Sequence, residues 1–354
     1  MKGTEQVQQT KLAPWPCPEP RPFLRLVGRR NHASKRLSPK IPILLVLAAA
    51  ALTGCQGTSP KPLGDTAQAA TADHETLAKG VTHYGIQTGP ATGLDIIDVD
   101  LKTSTARLSV GAKDIRADGG AIVARAITPT QWVKGGAIAA VNGGYFGEDH
   151  DTAKEIVGLL IQNGRVRHAA PALTGRGGNG LAPGHYVRSV FGLMPSGEPR
   201  ITWAATDVGH PQTIRAYDTA TPSDLSEGVA WRPLSAIGCG PTLIHNGRSV
   251  VTDRSERLVS EGQLPRTFVA YDLVDNRPRH VAFGIANAAT FEEVTAQLQD
   301  FFAAYEHTRP WAAMCFDGGS STQMTYRIGK TISTPRETEV GVTDCLLVVP
   351  PRHG

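Results

Sequence analysis

The chain has 354 residues, 40% hydrophobic, 6% aromatic and 19% charged, with 38 Gly, 25 Pro and 5 Cys; that is apolar enough to bury the core of one large domain or two small ones, so wholesale disorder is excluded, and too poor in cysteine for a disulfide-dense scaffold. No apolar run reaches the ~20 residues of an ordinary spanning helix. The formal charge of +4 belongs to a leader: residues 1–54 hold nine of the 36 Lys/Arg and two of the 32 Asp/Glu, leaving 27 against 30 afterwards, a net −3 that argues against nucleic acid as a partner of the folded part.

From Arg21 to Lys40 the chain is basic and broken by prolines, and Ile41–Leu52 is a short apolar run that ends in Leu52-Thr53-Gly54-Cys55. A positive n-region, a short h-region and small residues before a cut predict a secretory signal over 1–54, too short to be a span. Leu-Thr-Gly-Cys resembles the bacterial lipoprotein signal, which implies a lipid on Cys55 that tethers a soluble domain to a membrane of the cell envelope. The competing reading is a buried N-terminal helix. Forty residues before the apolar run are long for a leader, so the true start is expected downstream of Met1. Export implies an oxidising compartment, in which Cys239, Cys315 and Cys345 could form one disulfide plus a free thiol or remain three buried thiols.

Residues 55–78 are rich in Ala, Thr, Gly, Ser and Pro without periodicity and predict a flexible stalk, with a single folded domain over 79–352. Val81–Gln87, Leu94–Leu101 and Ala106–Val110 have strand length and pattern. Asn163-Gly164 and Asn246-Gly247 lie between apolar runs as hairpin turns, and Pro195-Ser196-Gly197 and Asp275-Asn276 are two more. Thr128-Pro129 opens a short helix through Trp132. Thr290 and Glu293 have capping-box spacing before Val294, Leu298, Phe301, Phe302 and Tyr305 at helical intervals. Trp311–Phe316 is a buried strand that runs into Asp317-Gly318-Gly319. With no internal repeat, the expected class is α+β: one domain of strand-rich sheets with a few flanking helices.

Several motifs fail their context. Gly175-Arg176-Gly177-Gly178-Asn179-Gly180 has the spacing of a dinucleotide loop, but Pro171 precedes it and Pro183-Gly184 follows, where a strand and a helix are required; it predicts a loop. Gly329-Lys330-Thr331 ends like a phosphate-binding loop, but Met324 stands where its first glycine belongs. Ser320-Ser321 is followed by Thr322, not the glycine of a nucleophile elbow. Glu148, Asp149, His150 and Asp151 show no ligand spacing and predict a solvated acidic loop, and the eleven histidines show no paired zinc spacing. No cofactor is expected, with a divalent cation left open.

Four segments share one form, an apolar strand that meets small, polar or turn-forming residues. They are Ala137–Val141 with Asn142-Gly143-Gly144-Tyr145-Phe146, Ile237 with Gly238-Cys239-Gly240-Pro241-Thr242, Leu264-Pro265-Arg266-Thr267 at the start of Phe268–Leu273, and Trp311–Phe316 with Asp317-Gly318-Gly319-Ser320-Ser321. Paired glycines let backbone N–H groups approach a ligand, and nests of such amides bind anions. An arginine adds a fork for two phosphate oxygens. A carboxylate at a strand end can act as acid, base or nucleophile at an acetal carbon. By themselves these pieces describe an anion or sugar site.

Taken in order, Val141-Asn142-Gly143-Gly144-Tyr145-Phe146, Gly240-Pro241-Thr242-Leu243-Ile244-His245-Asn246-Gly247, Pro265-Arg266-Thr267 and Phe316-Asp317-Gly318-Gly319-Ser320-Ser321 resemble the motifs of the phosphodiester glycosidase family, over roughly Gly136 to Val349. The resemblance implies hydrolysis of a sugar-1-phosphodiester, on exopolysaccharide or another envelope glycan, with Asp317, Arg266 and Asn142 as catalytic residues. It places Gly143, Gly240, Pro241, Thr242, Thr267, Gly318, Gly319, Ser320 and Ser321 against substrate. Ser320 departs from the family pattern, which has a third glycine there, and a side chain at that point narrows the pocket. Asp317 as base or nucleophile, and C–O or P–O cleavage, stay open, as does a non-catalytic envelope lipoprotein that binds phosphorylated or anionic glycans.

Overall fold

A computed structural model describes residues 72–87, 93–175, 183–258 and 262–351; the signal and Cys55 lie outside them, as do residues 176–180 of the glycine-spaced segment. The described residues fall in one compact unit.

The architecture is built on an eight-stranded antiparallel sheet. Its strands lie in the order Ala72–Ala78, Val81–Gln87, Gly93–Asp100, Arg277–Ala289, Leu264–Val274, Pro310–Cys315, Thr242–His245 and Arg248–Ser249. Strand residues alternate between the two faces, and both faces are covered. Val269, Tyr271, Val281, Phe283 and Met314 point into one core, which they share with residues of a five-stranded and a seven-stranded sheet: Val141, Met324 and Leu346 of the first, Phe191 and Ile237 of the second. Phe268, Ala270, Ala282 and Ala313 point the other way, against Val294, Leu298 and Phe301 of the Phe291–Phe301 helix.

Local chemistry sets the connections. The turns at Asn163-Gly164, Asn246-Gly247 and Asp275-Asn276 have φ between 51° and 72° at both central residues. Positive φ at both central residues is what a two-residue hairpin turn needs to match the right-handed twist of its strands, and each closes on directly paired flanks, as with Val274 opposite Arg277. Thr128 and Thr290 cap their helices with complete capping boxes, each worth about 1 kcal/mol to the helix.

Three expectations change. Helices are few and short among the described residues, so the strand-rich reading holds while "α+β" overstates them. Ala72–Ala78, taken from sequence as part of the stalk, is an edge strand paired with Val81–Gln87. Pro265-Arg266-Thr267 lies inside the Leu264–Val274 strand rather than before it. Of the thiol alternatives, the structure has three buried free thiols, Cys239, Cys315 and Cys345. Glu148, Asp149 and His150 belong to a hairpin strand in which Asp149 pairs with Lys154. A cavity of about 980 Å³ opens between Leu101, Arg107, Met194 and Arg277 and contains none of the motif residues.

Candidate active site

The four motifs meet, and Asn142 is where three of them are tied. It ends the Ala139–Asn142 strand and is 0% exposed. Its Nδ2 donates to the Asp317 carbonyl at 2.8 Å, and its Oδ1 accepts from Thr267 Oγ1 at 2.7 Å and from the Gln323 amide at 3.0 Å. Backbone bonds run beside it: the Asp317 amide donates to the Gly143 carbonyl at 2.9 Å, and the Phe316 amide to the Thr267 carbonyl at 2.8 Å. The fourth segment joins through Tyr145, whose hydroxyl donates to the Gly240 carbonyl at 2.7 Å.

Asp317 is half-buried at the end of the Pro310–Cys315 strand. Burial raises its carboxyl pKa to about 6, the proximity of the Asp344 carboxyl adds to this, and bonds from Ser321 and the Gly318 amide oppose it. Arg266 is 4% exposed. Its Nε donates to the Ala289 carbonyl at 3.0 Å and its Nη2 to the Gly262 carbonyl at 3.1 Å, and its guanidinium stacks 4.1 Å from the centre of the Phe291 ring. Burial lowers its pKa. Gly318 joins the two groups. Its amide donates to Asp317 Oδ1 at 2.9 Å, and a methyl on its α-carbon would lie 3.8 Å from Cδ and 3.9 Å from Nη1 of Arg266.

The sequence-predicted contacts therefore divide into two groups. Asp317, Gly318, Gly319 and Ser320 keep some exposure, with Ser320 the most open and Ser321 buried and bonded to Asp317. Asn142, Gly143, Gly240, Pro241, Thr242 and Thr267 are buried, and the hydrogen bonds recorded for them go to protein partners. The side-chain bonds of Asn142, expected as a catalytic residue, and of Thr267, expected against substrate, hold the Asp317 turn in place. The Gly240 amide donates to the Cys315 carbonyl at 3.2 Å, and the Gly318 amide donates to Asp317 Oδ1.

Two buried carboxyl groups were missed. Glu256 is 1% exposed and accepts from the Ser189 amide and hydroxyl, Trp203 Nε1, the Thr242 amide and Thr252 Oγ1 at 2.5–3.1 Å. It also packs against Gly240, at φ +138°, where a Cβ would lie 2.5 Å from Glu256 Oε2. Asp344 accepts from the Gly144 amide at 2.8 Å and from Thr343 Oγ1 at 2.9 Å, and burial raises its pKa. Glu256 sits in Asp253-Arg254-Ser255-Glu256-Arg257, a run that reads as solvated surface, and nothing local signals its burial.

Around one half-buried carboxyl group the arrangement offers a proton acceptor near neutral pH, a fixed guanidinium on the far side of Gly318 and an exposed serine at Ser320. The family model described as phosphodiester glycosidase matches residues 135–349. Among solved structures, the chain is similar to a Burkholderia pseudomallei protein described as exported, with a TM-score of 0.51 at 12% identity over 82% of this chain and 98% of that one. It is also similar to the zebrafish N-acetylglucosamine-1-phosphodiester alpha-N-acetylglucosaminidase catalytic domain auto-inhibited by its pro-peptide (TM-score 0.45, 14% identity, 81% and 85% covered). A hypothetical protein from Synechocystis gives a TM-score of 0.47 at 16% identity, with 80% and 64% covered. No curated protein matches the chain at a significant level.

Proposed function

The chain belongs to the phosphodiester glycosidase family, and on that premise we propose that it is a hydrolase of the cell envelope that cleaves a sugar-1-phosphodiester. The observation that carries this reading is the juxtaposition made by Gly318, with the Asp317 carboxyl on one side and the Arg266 guanidinium on the other. In this reading the phosphate lies toward the Arg266 side of Gly318 and the sugar lies over Asp317 and Ser320. A pKa of about 6 leaves Asp317 largely ionised at neutral pH, yet basic enough to take a proton from water or to attack the anomeric carbon itself. Water oxygen ends on the sugar, the anomeric C–O bond breaks toward phosphate, and the products are the free sugar and a phosphomonoester. The guanidinium offsets the charge that collects on the departing phosphate, as a preorganised donor in a site that water reaches poorly.

The location follows from residues outside the described ones. Leu52-Thr53-Gly54-Cys55 supports a lipid anchor, and exopolysaccharide or another envelope glycan is the substrate class such an anchor would meet. The neighbour described as exported is compatible with that placement.

Turnover of aryl-phosphate and nucleoside-diphosphate sugars by the purified protein tests the proposal. Replacing Arg266 by Ala should cost about 2–4 kcal/mol of transition-state stabilisation in kcat/KM. Isotopically labelled water should deliver its oxygen to the sugar; label in the phosphate would mean P–O cleavage. Binding of phosphorylated glycans without turnover of any of these substrates would make the protein a non-catalytic lectin-like tether.

A further inference from the structure

A second cluster of functional side chains lies at the far end of the helix that covers the large sheet. Arg266 touches Phe291, where that helix begins; Glu306 closes the wide turn Phe302–Glu306, where it ends, before His307 breaks the chain away at φ 54°. Beneath Glu306, Asp98 and His280 stand on adjacent strands on the helix-covered face. Asp98 is paired with Ala282, and His280 with Asp100, which brings the two side chains together on the diagonal. His280 Nδ1 lies 3.2 Å from Asp98 Oδ2 and 3.0 Å from Glu306 Oε2, and one donor atom from each residue falls within 4.8 Å of the others.

We propose that Asp98, His280 and Glu306 form a binding site for a divalent transition-metal ion of the zinc type. Four tetrahedral ligands at about 2.0–2.2 Å from zinc stand ~3.3 Å apart, so three donor atoms at these separations need only small shifts to surround an ion, with a fourth position left for water. An independent observation points the same way. Asp98 is 5% exposed, and its second oxygen, Oδ1, is buried without a hydrogen-bond partner among the described residues. A protonated His280 bonded to both carboxylates would satisfy one oxygen of each, leave Oδ1 stranded and keep a net negative charge in the interior. A dication would neutralise both carboxylates, leave the imidazole neutral and give Oδ1 a partner.

The ligand-bearing segments are fixed in advance. Buried Asp272 accepts from the His280 amide at 2.7 Å and from Thr308 Oγ1 at 2.8 Å, so one carboxyl group holds both the strand that carries His280 and the turn that carries Glu306. The nitrogen donor selects against calcium and magnesium, which prefer all-oxygen shells. The ion would pin the end of the helix to the sheet, at the opposite end from Arg266 and outside the candidate active site.

The test is equilibrium dialysis of the tag-free, chelator-treated full chain against micromolar Zn²⁺, Ca²⁺ or Mg²⁺, with metal content read by elemental analysis and melting temperature read in parallel. One zinc per chain, a raised melting temperature and no stoichiometric calcium or magnesium are expected. His280→Gln and Glu306→Gln should each weaken zinc binding about ten-fold or more. Asp98→Asn, which keeps shape and packing, provides a variant that should fold; with Co²⁺ in place of zinc it should lose the visible ligand-field band of the parent chain. Absence of stoichiometric zinc, zinc binding unchanged in the variants, or equal binding of calcium would overturn the site.

Discussion

At the scale of single residues, Asp317 is a carboxyl group kept where it is uncomfortable. The folded protein holds its proton up to pH about 6, against 3.8 for an ordinary aspartate. The folded state thus binds the proton more tightly than the unfolded chain, so this group's contribution to stability falls as pH rises from about 4 to 6. Above that the ionised form carries a constant penalty of ~3 kcal/mol. Asp317→Asn removes the penalty, so its melting temperature should exceed that of the parent at pH 7.5 and match it near pH 4, while turnover is lost. If Asp317 is the base or nucleophile, log kcat/KM should climb with pH and level off above about 6; a fall through the same range would make it the acid. Gly143 gives a steric counterpart. A Cβ there would overlap Asp344 Oδ1, so Gly143→Ala should lower the melting temperature and, by displacing the carbonyl that receives the Asp317 amide, reduce turnover as well.

Among the elements, the Glu256 segment holds the Gly240 corner from behind. Removing its carboxylate leaves donors from Ser189, Trp203, Thr242 and Thr252 buried without acceptors. Glu256→Ala should cost ~3–5 kcal/mol in denaturant unfolding, the scale of breaking a buried charged network. Glu256→Gln should cost less, because one oxygen remains. These elements also show which parts of the sequence were legible. The two-residue turns and both capped helices could be read because their signals sit within four residues of each other. The motif segments were legible as strand ends with small and polar residues, but which buried group a polar side chain such as Asn142 or Thr267 meets depends on partners 125 and 175 positions away. The Ala72–Ala78 strand escaped notice because it is an edge strand, exposed over most of its length, and carries no apolar alternation; backbone pairing alone defines it.

For the molecule as a whole, that edge strand is part of the fold's boundary. A chain beginning at Asp65 should melt like the full protein, whereas one beginning at Val81 uncovers the pairing edge of Val81–Gln87 and should melt lower and aggregate on heating. Light scattering during a thermal ramp compares the two.

The Asn142 knot also has a consequence in time. It joins Asn142 to Thr267, Asp317 and Gln323, across 125 to 181 positions, and the neighbouring Gly144 reaches Asp344 across 200. Loop closure on that scale comes late in folding. The Asp317 cluster is therefore among the last features to appear, and a nascent or nicked polypeptide that lacks its final hundred residues has neither Arg266 nor Asp317. A chain held extended therefore lacks the assembled Asp317 cluster until its last long-range contacts close, so completion of folding itself sets when that cluster first exists.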